Sequence, residues 1–222
     1  MLPADRSDRL AGARLYFVCE ARPPAAPLAD VLAAALRGGV DVFQLREKRL
    51  ADDEILEAAA VARELCTAAG ALFVINDRPD LAVAADADGV HVGQDDMSVD
   101  AARAEVGPDR LVGLSTHSPA QVDAAHAADL IGVGPIYPTP TKLYRPAVGL
   151  ELIAYAREHA TQPFFAIGGI DELRAVEVAA AGAGRIAAVR AVAGAADPEA
   201  AARTLRATAE TVPLAESVHG PA

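Results

Sequence analysis

Lysine occurs twice and asparagine once in these 222 residues, and all three stand in short polar clusters that follow apolar runs. Lys48 ends Gln44-Leu45-Arg46-Glu47-Lys48, Asn76 opens Asn76-Asp77-Arg78, and Lys142 ends Pro138-Thr139-Pro140-Thr141-Lys142. Elsewhere positive charge is written as arginine, eighteen in all. A lysine ammonium grips phosphate as a compact point charge, which a planar guanidinium does not reproduce. The two lysines are therefore candidate phosphate ligands rather than generic surface charge. Carboxylates lie beside them: Asp77 in the second cluster, and Asp95 and Asp96 in Gly93-Gln94-Asp95-Asp96. Mg2+ takes hard oxygen ligands, commonly one or two carboxylates with substrate phosphates and water completing the shell. Asp77 with one of Asp95 and Asp96, flanked by Arg46, Lys48 and Lys142, has the composition of a magnesium–diphosphate site. Singly, Asp77 reads equally well as a turn residue, and the acidic pair as a cap ahead of Met97-Ser98. The bases spread over three loops favour the metal site.

These clusters can meet only if the fold gathers them. Eight short apolar runs, at 15–19, 42–45, 72–75, 90–92, 111–114, 130–133, 164–167 and 186–189, are each followed by a polar or glycine-containing turn. Helical patterns follow at 28–37, 52–69, 79–85, 98–105, 118–127, 149–160, 171–181 and 197–210. Ser118-Pro119 and Asp197-Pro198 are helix starts with a capping side chain and proline at the first helical position, and Asp52-Asp53-Glu54 puts acid in a first turn. Apolar strands alternating with helices imply a parallel sheet covered by helices. Eight such units in a chain of this length predict the α/β class and a single-domain (β/α)8 TIM barrel over 13–211. Residues 1–12 form an N-terminal extension and 212–222 a C-terminal tail, both expected to be loosely held. The first strand is not followed by GxGxxG, which argues against a dinucleotide site.

In such a barrel the loops after the strands converge on one mouth. Gln44, Arg46 and Lys48 alternate, so an extended strand end would point all three to one side. Asn76 and Asp77 follow the third strand, Gln94, Asp95 and Asp96 the fourth, and Ser115 with His117 nearby the fifth. Thr139, Thr141 and Lys142 follow the sixth. Gly168-Gly169 and the turn after Val189, with Arg190, suggest a second anion site between the last two loops. A diphosphate on one side and a monophosphate on the other suit the joining of two phosphorylated small molecules. His91, at the end of a buried strand, reads as a core histidine or a support for a site residue. No Ser/His/Asp arrangement and no catalytic cysteine emerge.

Composition bounds these readings. A formal net charge of −11 argues against sequence-independent nucleic-acid binding, which needs an electropositive face. It is compatible with phosphate substrates held by local bases and backbone N–H groups. Cys19 and Cys66 have no metal or redox spacing and are expected as buried thiols in a reducing compartment. The opening Met1-Leu2-Pro3-Ala4-Asp5-Arg6 lacks a basic region followed by an apolar run, and no stretch reaches membrane-spanning length, so a cytoplasmic protein without membrane partners is expected. Homo-oligomerisation is left open.

The clusters resemble those of the thiamine phosphate synthase family. The matching stretches are Gln44-Leu45-Arg46-Glu47-Lys48, Ile75-Asn76-Asp77-Arg78, 88–96, Ser115-Thr116-His117-Ser118, 132–142 and Ala166-Ile167-Gly168-Gly169-Ile170, in family order across the barrel. The resemblance implies an Mg2+-dependent transferase that joins hydroxymethylpyrimidine diphosphate to a thiazole phosphate, with or without a ring carboxylate, releasing diphosphate. It implies ionisation of the pyrimidine substrate before the thiazole nitrogen attacks. It implies Asp77 and Asp96 as metal ligands, and Arg46, Lys48, Ser115 and Lys142 as catalytic contacts. Gln44 and Asn76 join these around the pyrimidine diphosphate, with Leu45 and Glu47 among the substrate-binding residues. Thr139, Pro140, Thr141, Gly169, Val189 and Arg190 surround the thiazole phosphate. Two departures stand out: Arg190 where many members have serine, and a shorter, less acidic Leu143-Tyr144-Arg145-Pro146. The sister thiazole tautomerase family shares the barrel and a histidine matching His117 but typically lacks the Thr-Pro-Thr-Lys loop, intact here. A non-catalytic phosphate sensor would not need the metal dyad.

Overall fold

The computed structural model describes residues 4–139 and 146–214. Its strands are β1 (Leu15–Cys19), β2 (Val42–Leu45), β3 (Leu72–Asn76), β4 (Gly89–Val92), β5 (Leu111–Thr116), β6 (Leu130–Val133), β7 (Phe164–Ile167) and β8 (Ile186–Ala188). All neighbours pair in parallel, and β8 returns to β1, with Leu15 opposite Ile186, to close the barrel. The expected (β/α)8 TIM barrel is the fold. Its helices are α1 (Ala4–Gly12), α2 (Leu28–Arg37), α3 (Asp52–Ala69), α4 (Pro79–Ala84), α5 (Val99–Val106), α6 (Pro119–Asp123), α7 (Glu151–His159), α8 (Glu172–Ala180), α9 (Arg190–Ala193) and α10 (Pro198–Glu210). Ser118 Oγ accepts from Gln121 N at 3.3 Å and the Asp197 carboxylate from Ala200 N at 3.0 Å, so both expected caps form. No helix among the described residues is long and apolar enough to cross a membrane.

The period-2 alternation of strand side chains makes two cores. Leu15, Phe17 and Cys19 face the helices with Phe43, Leu45, Phe73 and Ile75, whereas Tyr16 and Val18 point into the barrel with Val42, Leu72, Val74, Leu111, Leu130, Phe165 and Ala187. Both cysteines are buried free thiols, and burial pushes each up to about 12, which keeps them protonated and inert.

The amino end of the barrel is closed by a repeated device. An aspartate just before β2, β4 and β6 accepts a backbone N–H from the strand before it and is paired with an arginine from the helix layer. Asp41 accepts from Arg14 N and Leu15 N at 2.7 and 3.0 Å and pairs with Arg206 at 2.6 Å. Asp88 accepts from Phe73 N at 2.9 Å and pairs with Arg63 and Arg6, each at 2.9 Å. Asp129 accepts from Val112 N at 2.7 Å and pairs with Arg103. Strand-end N–H groups that would otherwise be buried unpaired are thereby satisfied.

The start of the chain differs from its expectation. Residues expected to be loose form α1, whose Leu10 is buried among the interior residues at the foot of the barrel. Arg6 anchors it to Asp88, and Arg9 donates to the Gly70 carbonyl at 3.1 Å. At the other end, the Val212 carbonyl accepts from Arg14 at 2.6 Å, and the tail from 215 lies outside the described residues.

Candidate functional site

At the carboxyl ends of the strands the barrel opens into a cavity of about 280 Å³. Tyr16, Val18, Leu130, Phe165 and Ala187 line its depth. Tyr16 sits edge-on to Phe165, 5.3 Å between ring centres, and its hydroxyl accepts from Gln44 Nε2 at 2.8 Å. Burial drives the Tyr16 phenol far above its usual range, with the Gln44 bond acting the other way, so it stays neutral. The floor is thus apolar with one amide–phenol pair, suited to a flat ring rather than to a charge.

One wall carries Gln44, Arg46, Asn76, His91, Ser115 and His117. In register, Asn76 stands opposite His91 and His91 opposite Gly113, which brings the amide and the imidazole of adjacent strands to one level. A Cβ at Gly113 would fall 2.5 Å from His91 Nδ1, so the glycine makes the space in which the imidazole lies. His91 Nε2 is 3.0 Å from Ser115 Oγ, and Gln94 Nε2 donates to the Ser115 carbonyl at 2.7 Å. Ser115 is therefore held from both its side chain and its backbone. Asn76 Nδ2 is buried with no hydrogen-bond partner among the described residues, a donor left over for a ligand.

The opposite end carries Thr139, Gly168, Gly169, Asp171, Arg174, Val189 and Arg190. Gly168 and Gly169 take φ of 105° and 68°, the left-handed region that glycine enters without strain. Gln44, Arg46, Asn76 and Ser115 from the first expected anion site, and Thr139, Gly168, Gly169, Val189 and Arg190 from the second, thus line one cavity.

Three assignments change. Leu45 is buried in the outer core with its side chain toward the helices, because alternation that turns Gln44 and Arg46 inward turns it out. Glu47 folds back on its own loop, its Oε1 accepting from Lys48 N and Arg49 N at 2.8 and 2.9 Å, so it shapes the turn. Lys48 does not share the cavity wall with Gln44 and Arg46: β2 ends at Leu45, and that turn carries the ammonium to Asp77, Nζ to Oδ2 2.9 Å. Pro140, Thr141 and Lys142 lie outside the described residues. Sequence reasoning missed Tyr16, Asp171 and Arg174, and gave His91 only a supporting part. A tyrosine at an inward position of β1, and the glycine opposite His91 in register, Gly113, were the available signals.

Asp77 and Asp96 follow the ends of adjacent strands. Asp77 holds φ of 59°, its N–H donating to the His91 carbonyl at 2.8 Å, and Asp96 Oδ2 accepts from Gly93 N at 2.9 Å. Among the described residues no three or more His, Cys, Asp or Glu gather into a cage. Their carboxylate oxygens are of the kind that a hard dication takes alongside phosphate and water, and Asp77 Oδ2 holds the Lys48 ammonium at 2.9 Å.

Comparison with known proteins agrees with this geometry. The family model described as thiamine monophosphate synthase matches residues 15–192. A thiamine-phosphate synthase from a Nostoc species is 48% identical over 184 residues, 82% of this chain and 52% of that protein, so this chain spans about half of that relative's length. One from Mycobacterium ulcerans is 48% identical over 190 residues, 80% of this chain and 86% of that protein. The structure of thiamine phosphate pyrophosphorylase from Pyrococcus furiosus superposes with a TM-score of 0.82 at 34% identity, covering 91% of this chain and 98% of that one. A match running from β1 to α9, over the same strands whose ends build the cavity, places this chain in the thiamine monophosphate synthase family.

Proposed function

We propose that this chain is a cytoplasmic thiamine phosphate synthase. It joins hydroxymethylpyrimidine diphosphate to a thiazole phosphate, giving thiamine phosphate and diphosphate. The observation that carries the reading is one cavity with an apolar, amide-tipped floor between a wall carrying Arg46, Asn76 and Ser115 and an end carrying Gly168, Gly169 and Arg190. Gln44 and the floor hold the pyrimidine ring. Arg46, Asn76 and Ser115 face its diphosphate, joined by Lys48 and, from the loop outside the described residues, Lys142. The C–O bond between the pyrimidine methylene and the diphosphate breaks, the electron pair leaves with the diphosphate, and the thiazole nitrogen then bonds to the methylene carbon. The protein supplies no nucleophile; its cations and donors stabilise the charge that gathers on the departing diphosphate. Asp77 and Asp96 would hold Mg2+, which neutralises the same charge when bound. Asn76 offers its spare amide donor, and Lys48 sits where it can release Asp77 and turn to phosphate. At the far end Thr139, Gly169 and the backbone at Val189 and Arg190 hold the thiazole phosphate, together with Pro140 and Thr141.

Incubating the chain with both substrates, with and without Mg2+, and measuring thiamine phosphate and diphosphate tests this directly. Equimolar products that require the metal support the reading; no thiamine phosphate in the presence of Mg2+ sinks it.

Two substitutions probe its parts. Lys142→Ala should cut kcat by roughly a hundredfold while leaving the unfolding midpoint unchanged, and Lys142→Arg should restore activity only in part, because the guanidinium is larger and differently shaped. Full activity in the alanine variant would remove Lys142 from the diphosphate site. Arg190→Ser should keep kcat within about threefold and raise the KM for thiazole phosphate several-fold, since backbone N–H groups do most of the holding. A fall in kcat at unchanged KM would contradict the placement of Arg190.

A further inference from the structure

The Gly168-Gly169 turn lacks side chains that could stiffen it, and glycine moves readily between backbone regions. What holds it comes from outside. Arg174, in the first turn of α8, lines the cavity and directs its half-exposed guanidinium at the turn: Nη1 donates to the Gly169 carbonyl at 2.8 Å, and its carbon lies 4.8 Å over the centre of the Tyr137 ring. The Tyr137 hydroxyl donates to Glu177 Oε2 at 2.7 Å, so α8 grips that ring from two positions. Tyr137 N donates to the Gly168 carbonyl at 3.0 Å and Ile136 N to the Ile167 carbonyl at 2.9 Å. A Cβ on Gly168 would fall 2.5 Å from Pro135 Cα, and one on Gly169 2.9 Å from Tyr137 Cβ. The two loops therefore meet backbone on backbone, and Tyr137 stands two residues before Thr139. Asp171 caps α8 by accepting from Arg174 N at 2.9 Å and sits 3.9 Å from Arg174 Nη1, which balances the guanidinium charge locally.

We propose that Arg174 and Tyr137 form a latch, with Arg174 a positioning residue, that locks the flexible glycine turn to the Thr139 segment so that both face one phosphate. The proposal rests on the assignment of this end of the cavity to the thiazole phosphate. A latch acts through geometry, so removing either half should have the same effect. Arg174→Ala and Tyr137→Ala should each raise the KM for thiazole phosphate about tenfold, with kcat and the KM for the pyrimidine diphosphate little changed, because misplaced ligands weaken binding at that end alone. Arg174→Lys should restore part of the loss, keeping a donor for the Gly169 carbonyl without the planar face that stacks on the ring. Tyr137→Phe, which keeps that ring, should lie close to the parent. If Arg174→Ala raises the KM and Tyr137→Ala does not, Arg174 is a direct phosphate ligand and the latch is overturned; it is overturned equally if neither variant moves the KM. Calorimetric binding of inorganic phosphate to the whole chain separates this from failure of the proposed activity. Should the parent make no thiamine phosphate, a tenfold weaker phosphate affinity in both alanine variants still supports the latch. Phosphate binding that is absent from the parent, or unchanged in the variants, overturns it.

Discussion

Asp77→Asn is expected to lower turnover by roughly a hundredfold and to raise the Mg2+ concentration needed for half-maximal rate, with no loss of fold. The local backbone makes the substitution unusually clean. Asp77 holds φ of 59°, a region that asparagine enters more readily than almost any other side chain, so the turn should survive intact. The Lys48 pair it breaks is half exposed and contributes little to stability. What changes is one anionic oxygen for a neutral amide, a poorer ligand for a hard dication. Asp96→Asn should behave alike, and Asp95→Asn, its exposed neighbour, should cost much less. A dependence on Asp95 with Asp96 dispensable would mean that the metal loop is read one residue out of register. Normal rates for all three without added metal would end the magnesium proposal.

The largest effect on stability is expected at the other end of the barrel. Burial alone would push the Asp88 carboxyl up, but the Phe73 N–H, Arg6 and Arg63 outweigh it and hold it below its ordinary value. A carboxylate with a depressed folded pKa stabilises the fold fully above its unfolded value, about 3.9, and that contribution fades as pH falls through the lower folded value. Asp88→Asn removes the charge, leaves two arginines facing a neutral amide, and should cost about 3 kcal/mol at pH 7. Urea unfolding should show a large gap between parent and variant at pH 7 that narrows below about pH 4. Equal midpoints at pH 7 would show that the aspartate is dispensable. Turnover per folded molecule should be unaffected, because Asp88 lies at the foot of β4 and the site lies at its head.

That second site bears on what could be read from the chain alone. The strands were legible because burial on both faces leaves near-continuous apolar runs, and four of the eight bounds coincide with the observed ones. The arginines were not legible in the same way. Taken as generic surface charge, Arg6, Arg63, Arg103 and Arg206 prove to be partners of the aspartates that close the amino end. Nothing local marks such pairs, since their members lie far apart in sequence and meet only once the barrel exists. Helix α6 stops at Asp123 rather than running to 127, because the chain must turn there to deliver Asp129 to the Val112 N–H.

For the site, clusters within one loop were readable and cross-loop supports were not. Gln44, Arg46, Asn76, Ser115 and Gly169 all line the cavity. The alternation rule failed at Lys48 because it assumed that β2 continues past Leu45, whereas Glu47 turns the chain. Arg174 carried no signal of its own, being one more arginine on an amphipathic helix, and gains its meaning only from Gly169 and Tyr137.

The pairing of β1 with β8 has a consequence for how the molecule is made. Leu15 leaves the ribosome on the order of ten seconds before its partner Ile186 at ordinary elongation speeds. Throughout that interval the nascent chain carries one open β edge on its first strand and another on whichever strand came last. Helix α1 can settle against the half-built barrel before closure, because it packs on β3 and its Arg6 pairs with Asp88, just ahead of β4. The first helix is thus available as a temporary cover while the sheet waits for its final strand.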